Sequence, residues 1–68
     1  MYVLVNGEER WLEPGTTVAA LVTSLGGPGD GRGVAVAIDT EVVPRSSWQA
    51  TELTPGSRVE VLIAVQGG

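Results

Sequence analysis

Residues 16–26, TTVAALVTSLG, carry the clearest helical pattern in the chain. Thr16 or Thr17 offers a hydroxyl that can cap the first turn of a helix. The apolar residues recur at intervals of three and four, which places them on one face: Val18, Leu21, Val22 and Leu25. Gly26 stands where helices often end in a left-handed residue. We therefore expect one amphipathic helix with a single face to bury.

Short β-forming segments lie on both sides of this helix. The first, residues 2–5, runs into Asn6-Gly7, the pair best suited to a type I′ hairpin turn. Because side chains alternate along a strand, Val3 and Val5 share one face of it and Leu4 lies on the other. The other β-forming segments are residues 8–12, 34–38, 41–43 and 58–65. The element order is thus strand, strand, helix, strand, short strand, strand.

This order restricts the topology. A lone helix across one sheet buries the apolar face of every element when the first and last strands lie side by side and parallel at the centre. The order predicts an α+β fold of the β-grasp (ubiquitin-like) type, a mixed sheet of about five strands with one main helix packed across it. A chain of 68 residues has room for one such core. We therefore expect residues 1–68 to form one domain, with a flexible Gly-Gly tail at residues 65–68.

Composition narrows the classes of function. The chain has no cysteine and no histidine, which removes disulfides, thiolate nucleophiles, and the commonest general base and metal ligands. We therefore predict no catalytic residue of its own, no metal site and no bound cofactor, and hence a protein that is not an enzyme. The net charge of −4 argues against nucleic acid as a partner. The apolar runs are too short to cross a membrane and no signal-peptide pattern is visible, so we expect a cytoplasmic location.

A glycine-rich segment and two tryptophans could suggest a ligand-binding site, but their sequence context favours a structural role. The glycine-rich segment 26–33 lacks the Gly-Lys-Ser/Thr ending of a phosphate-binding loop, and it follows a helix instead of preceding one. We expect a flexible connection there. Trp48 is expected to pack against the body of the domain, and Trp11 to be half-buried cover on the second strand.

Several motifs resemble the ThiS branch of the sulfur carriers, and the resemblance runs along the whole chain. The most specific blocks are Val42-Val43-Pro44-Arg45-Ser46-Ser47-Trp48 and the terminal Val65-Gln66-Gly67-Gly68. Further matching segments are Val5-Asn6-Gly7-Glu8, Thr17–Val22, Val34–Ile38 and Gly56–Val61.

The resemblance implies a sulfur carrier that acts at its C-terminal carboxylate. An E1-like adenylyltransferase (ThiF-like) would use ATP and magnesium to adenylate Gly68. A persulfide donor, from a cysteine desulfurase or a rhodanese-like protein, would then displace AMP and leave a thiocarboxylate. Thiazole synthase (ThiG) would take that sulfur into the thiazole ring of thiamine.

The tail suits this chemistry, since Gly67 and Gly68 lack a Cβ and can enter a narrow channel without steric cost. A second expectation concerns docking. Leu62 and Ala64 share a phase of the last strand that faces away from the helix, and Leu4 on the neighbouring strand faces the same way. With the lead-in residues of the tail, the expected docking residues are Leu4, Leu62, Ala64, Val65 and Gln66.

Alternatives of other kinds stay open at this point. The nearest is a sulfur carrier for another pathway, similar to the small subunit of molybdopterin synthase. A ubiquitin-like modifier that forms amide bonds to target lysines is a second, and an interaction domain with a chemically idle Gly68 is a third.

Overall fold

A computed structural model describes residues 1–64 of the chain. Its elements are β1 (Tyr2–Val5), β2 (Glu8–Trp11), α1 (Val18–Ser24), β3 (Val34–Ile38), β4 (Glu41–Val42), a 3-10 turn (Arg45–Ser47) and β5 (Arg58–Ile63). The expected order of elements is confirmed, with β2, β4 and β5 each ending slightly earlier than the pattern predicts; β5 ends at Ile63, so Ala64 lies outside the strand.

Within the described residues the strands form a five-stranded sheet in the order β2-β1-β5-β3-β4. The first and last strands are neighbours and parallel, with Leu4 opposite Arg58 and Val5 opposite Val59. All other neighbouring strands pair antiparallel. With α1 packed on one face, this is the predicted β-grasp architecture, and β5 lies at the centre of the sheet.

Local signals define the helix as the sequence predicts. The Oγ1 of Thr17 accepts a hydrogen bond from the backbone N–H of Ala20 at 3.2 Å, so Thr17 is the N-cap. The N–H of Val18 donates to the carbonyl of Thr51 at 2.9 Å, which ties the start of α1 to the segment before β5. Gly26 follows the last turn with φ +84°, a backbone conformation that glycine adopts without steric cost.

The core lies between the sheet and α1. Its buried apolar residues are Val3, Val5, Val18, Leu21, Val22, Val36, Trp48, Leu53, Val59 and Val61. Three of the four residues of the predicted helical face are therefore buried, the fourth, Leu25, is half-buried, and the predicted inner face of β1 is buried. Ile63 shares the phase of Val59 and Val61 yet is 41% exposed, because the core ends where β5 ends beside the half-buried Val34. Among residues 1–64 we find no helix with the length and hydropathy needed to cross a bilayer.

The glycine-rich connection is packed against the domain at one point. Gly31 is buried, and a Cβ placed on it would lie 2.7 Å from Cζ3 of Trp48. Trp48 is 5% exposed, and its Nε1 donates to the carbonyl of Val43 at 2.9 Å. Trp48 therefore packs as predicted, and it anchors the loop that the sequence suggested was only a flexible connection.

Candidate functional site

The predicted reactive end lies outside the described residues. Val65, Gln66, Gly67 and Gly68 follow Ala64, the last residue that the structure describes. The structure instead describes the base from which this tail leaves, at the end of β5.

Hydrogen bonds hold the base of the tail on both edges of β5. On the β3 side, the N–H of Ala64 donates to the carbonyl of Gly33 at 2.7 Å. On the β1 side, the N–H of Val61 donates to Oδ1 of Asn6 at 2.8 Å. Nδ2 of Asn6 donates to the carbonyl of Val61 at 3.1 Å. β5 is thus fixed in the plane of the sheet up to the last residues before the tail.

The sheet face opposite α1 carries those predicted docking residues that the structure describes, whereas Val65 and Gln66 lie outside the described residues. Leu62 is 71% exposed and lies opposite Ala35 of β3, which is also exposed. Ala64 is exposed in the same phase of the chain. We call the surface formed by Leu62, Ala64 and Ala35 the apolar end of the outer face.

Leu4 does not join this apolar end. It is half-buried and lies opposite Arg58, four residues before Leu62 on β5. At ~3.3 Å per residue this separates the two leucines by ~13 Å along the strand. Exposed Arg58 lies beside Leu4, and exposed Glu60 lies between that position and Leu62 on the outer face. The parallel register, which the sequence does not fix, accounts for this separation.

A second exposed apolar group lies at the far end of the same face. Tyr2 and Trp11 are opposite each other on β1 and β2, with ring centroids 5.0 Å apart at 73°. Trp11 is 61% exposed, so the expectation of half-buried cover is wrong. The reason is that no element among the described residues covers this face of the sheet.

Residues 1–64 contain no cluster of three or more acidic side chains that could hold a metal ion. A cleft of about 450 Å³ between α1, the loop and the 3-10 turn is lined by Arg45, Asp30 and Gln49 among others. Its polar groups lie on the helix side of the domain, away from the outer face where the apolar end lies.

The sequence interpretation missed one participant at the base of the tail. Asn6 was predicted only as a turn residue, and its two bonds to Val61 join positions 55 residues apart. An asparagine before glycine is a local signal for a turn, and it contains no information about a distant strand. The role of Asn6 becomes apparent only once the pairing of β1 with β5 is known, because that pairing brings Asn6 next to Val61.

Comparison with known proteins gives the family. A crystal structure of the thiamine biosynthesis protein (ThiS) from Geobacter metallireducens is similar over 100% of both chains, with a TM-score of 0.79 and 28% sequence identity. A solution structure of a thiamine biosynthesis protein from the same organism gives the same TM-score and identity over 88% of its own chain.

A curated relative extends the comparison. The thiazole synthase of Paramagnetospirillum magneticum (strain ATCC 700264 / AMB-1) is 38% identical over 68 residues, which are 100% of this chain. The chain spans only 20% of the length of that relative. The sequence model of the ThiS family matches residues 3–68. The chain therefore belongs to the ThiS family.

Proposed function

We propose that this chain is a sulfur carrier of thiamine biosynthesis and that its reactive group is the carboxylate of Gly68. The observation that carries the proposal is the family match over residues 3–68, which extends through Gly67-Gly68. The similarity to ThiS structures over the whole chain supports it. In this role the chain is a protein co-substrate, and the chemistry belongs to its partners.

The first step is activation. A carboxylate resists attack by a nucleophile because of its charge and resonance. An E1-like adenylyltransferase would join Gly68 to AMP from ATP and release pyrophosphate, with magnesium screening the phosphates. The acyl carbon then carries a good leaving group.

The second step is sulfur transfer. The terminal sulfur of a persulfide would attack the acyl carbon and expel AMP, forming an acyl disulfide with the donor. A second thiol would then cleave the sulfur–sulfur bond and release the thiocarboxylate of Gly68. This sequence has no cysteine, so the persulfide and the second thiol would both come from other molecules.

The acceptor in this proposal is a thiazole synthase. In the Paramagnetospirillum relative, a segment 38% identical to this chain makes up 20% of a protein with that name. We infer that the remaining length holds the synthase. A carrier joined to its acceptor would reach it at a high effective concentration, which is an advantage only if the two act together.

The apolar end of the outer face is the proposed docking surface for these partners. Leu62 is 71% exposed, a large apolar side chain that a partner can bury. It lies two residues before Ala64, which the tail follows directly in the chain. A partner bound there would therefore receive Gly67-Gly68 close to the contact.

The test is an intact-mass measurement. The protein is incubated with an E1-like adenylyltransferase, ATP, magnesium and a persulfide donor. We expect a mass gain equal to the replacement of one oxygen by one sulfur, located on Gly68 by fragmentation. A chain lacking Gly68 is the control. No gain, with an activating enzyme active on another carrier, would refute the proposal. Sulfur transfer to a thiazole synthase would then distinguish this pathway from other sulfur carrier systems.

A further inference from the structure

Asn6 has a position in the fold that its turn does not require. It is the first residue of a two-residue hairpin turn, with φ +50° at Asn6 and +82° at Gly7. These angles define a type I′ turn, which either glycine or asparagine satisfies at the first position. The backbone conformation therefore explains why a small polar residue stands here, but not what its side chain does.

The side chain continues the β1–β5 ladder beyond the end of β1. The backbone N–H of Asn6 donates to the carbonyl of Val59 at 2.9 Å, the last main-chain bond of this pairing. The chain then turns away into β2. At the next β5 residue that faces β1, Val61, the carboxamide of Asn6 both accepts at 2.8 Å and donates at 3.1 Å. The side-chain amide thus replaces the peptide group that a longer β1 would have supplied.

This anchor lies three residues before the end of the described chain. Val61 is buried, and Ala64 is the last residue before the segment that ends in Gly67-Gly68. Without the carboxamide, the backbone of β5 would lose its partner on the β1 edge at Val61, and the pairing with β1 would end at Val59. The strand would then be held on that stretch only by β3, through pairs such as Ala35 with Leu62.

We propose that Asn6 is a positioning residue for the reactive tail: its carboxamide fixes the direction in which β5 delivers the chain to a partner's active site. This role rests on the proposed function, since it matters only if Gly68 is activated there. Activation requires the reacting atoms to lie within a narrow range of positions. A looser strand at Val61 would widen the range of directions in which the tail leaves the sheet.

The carboxamide is the group that the geometry calls for. An aspartate would keep an acceptor for the N–H of Val61 and would turn a second acceptor toward the carbonyl of Val61. A glycine would keep the turn and lose both bonds. The two substitutions therefore remove one or both of the hydrogen bonds between Asn6 and Val61, and neither requires a new backbone conformation.

Asp39 provides a control, because its side chain also binds the backbone of β5. It begins the turn between β3 and β4 with φ +48°, and its Oδ1 accepts from the N–H of Arg58 at 3.0 Å. Its side chain thus also binds the backbone of β5, through one bond where Asn6 makes two, and at the start of the strand. Asp39→Gly removes a comparable bond far from the tail.

The experiment compares Asn6→Gly, Asn6→Asp and Asp39→Gly with the unaltered protein. Amide hydrogen exchange is measured at Val61 and referred to the most protected core amides. We expect Asn6→Gly to lower the protection of Val61 by about tenfold or more, since a lost pair of hydrogen bonds opens the strand locally. Asp39→Gly should leave it unchanged.

Thiocarboxylate formation is then measured with an E1-like adenylyltransferase and a persulfide donor. We expect kcat to fall about tenfold in Asn6→Gly with KM unchanged, because docking is intact while the tail is misdirected. Asn6→Asp should recover part of the rate, and Asp39→Gly should keep it. A loss in Asp39→Gly equal to that in Asn6→Gly would mean a general effect of stability and would overturn the role of Asn6.

The two proposals fail in different ways. If the unaltered protein charges and Asn6→Gly charges at the same kcat, the positioning role is wrong and the sulfur-carrier function stands. If the unaltered protein is not charged at all, the function falls and the positioning role with it. The exchange at Val61 then still reports whether the anchor exists.

Discussion

Gly31→Ala should destabilise the domain, because it adds a Cβ to a left-handed residue that packs against the buried Trp48. Gly31 lies in the glycine-rich loop, has φ +71° and is buried against the side chains of Arg45 and Trp48. A Cβ there would lie 2.7 Å from Cζ3 of Trp48 and 2.7 Å from Cδ of Arg45. The arginine can move aside. The indole cannot do so easily, because it is buried and bonded to Val43.

Two terms add in the free energy of unfolding. A residue with a Cβ in a left-handed conformation costs about 1–2 kcal/mol. Forcing an extra methyl group into a packed contact costs about 1–3 kcal/mol more. Gly56→Ala isolates the first term, since Gly56 has φ +78° and open space where its Cβ would stand. The loss of unfolded-state entropy on replacing glycine by alanine is common to both variants and cancels in the comparison.

The assay is urea denaturation followed by tryptophan fluorescence. Trp48 is buried and Trp11 is 61% exposed, so most of the change on unfolding comes from Trp48. With a denaturant slope of about 1 kcal/mol per molar for a chain of this size, the midpoint of Gly31→Ala should lie about 1–3 M below that of Gly56→Ala. Equal midpoints would refute the reasoning, because they would mean that the loop does not pack on Trp48.

Three further outcomes follow from individual residues. Thr40 has φ +74°, which strains a β-branched side chain, so Thr40→Gly should stabilise the domain by about 1 kcal/mol. The thermal unfolding midpoint of Thr40→Gly should therefore be about 4–8 °C higher than that of the unaltered protein, and a lower midpoint would contradict the prediction. Leu62→Asp should raise the KM of charging by at least about tenfold, whereas Val42→Asp, at an equally exposed position on β4, should not. Comparable KM values for the two aspartate variants would argue against docking at the apolar end. Gly68→Ala should sharply lower thiocarboxylate formation and deletion of Gly68 should abolish it, and normal charging of either by intact mass would dismiss the tail chemistry.

The parts of the fold that the sequence predicts are those that local chemistry decides. The hydroxyl of Thr17 and the missing Cβ of Gly26 define the two ends of α1, and both signals lie within the helix or next to it. Asn6-Gly7 defines the first hairpin for the same reason. Periodicity then identifies the buried face of each element, as at Val3 and Val5.

The parts that the sequence does not predict depend on register and on contacts between distant segments. The parallel pairing puts Leu4 opposite Arg58, which separates it from Leu62. The contact between Gly31 and Trp48 joins a loop to a turn, and no pattern in either segment indicates the other. For the site itself, the sequence predicts that the C-terminal Gly67-Gly68 is the reactive end. It does not predict that Asn6 binds β5 just before that end.

The arrangement around β5 implies a division of tasks between its faces and its edges. Near the tail, the side chain of Val61 is buried in the core, and its backbone is bonded to Asn6. The backbone of Ala64 is bonded to Gly33, on the other edge. Among the described residues, the outward side of Leu62 is therefore the direction from which a partner can approach this end of the strand. Changes on that side should weaken docking and raise KM, whereas changes at the edges should alter the direction of the tail and lower kcat. A variant at Asn6 that changed KM alone would contradict this division, even if charging were slower.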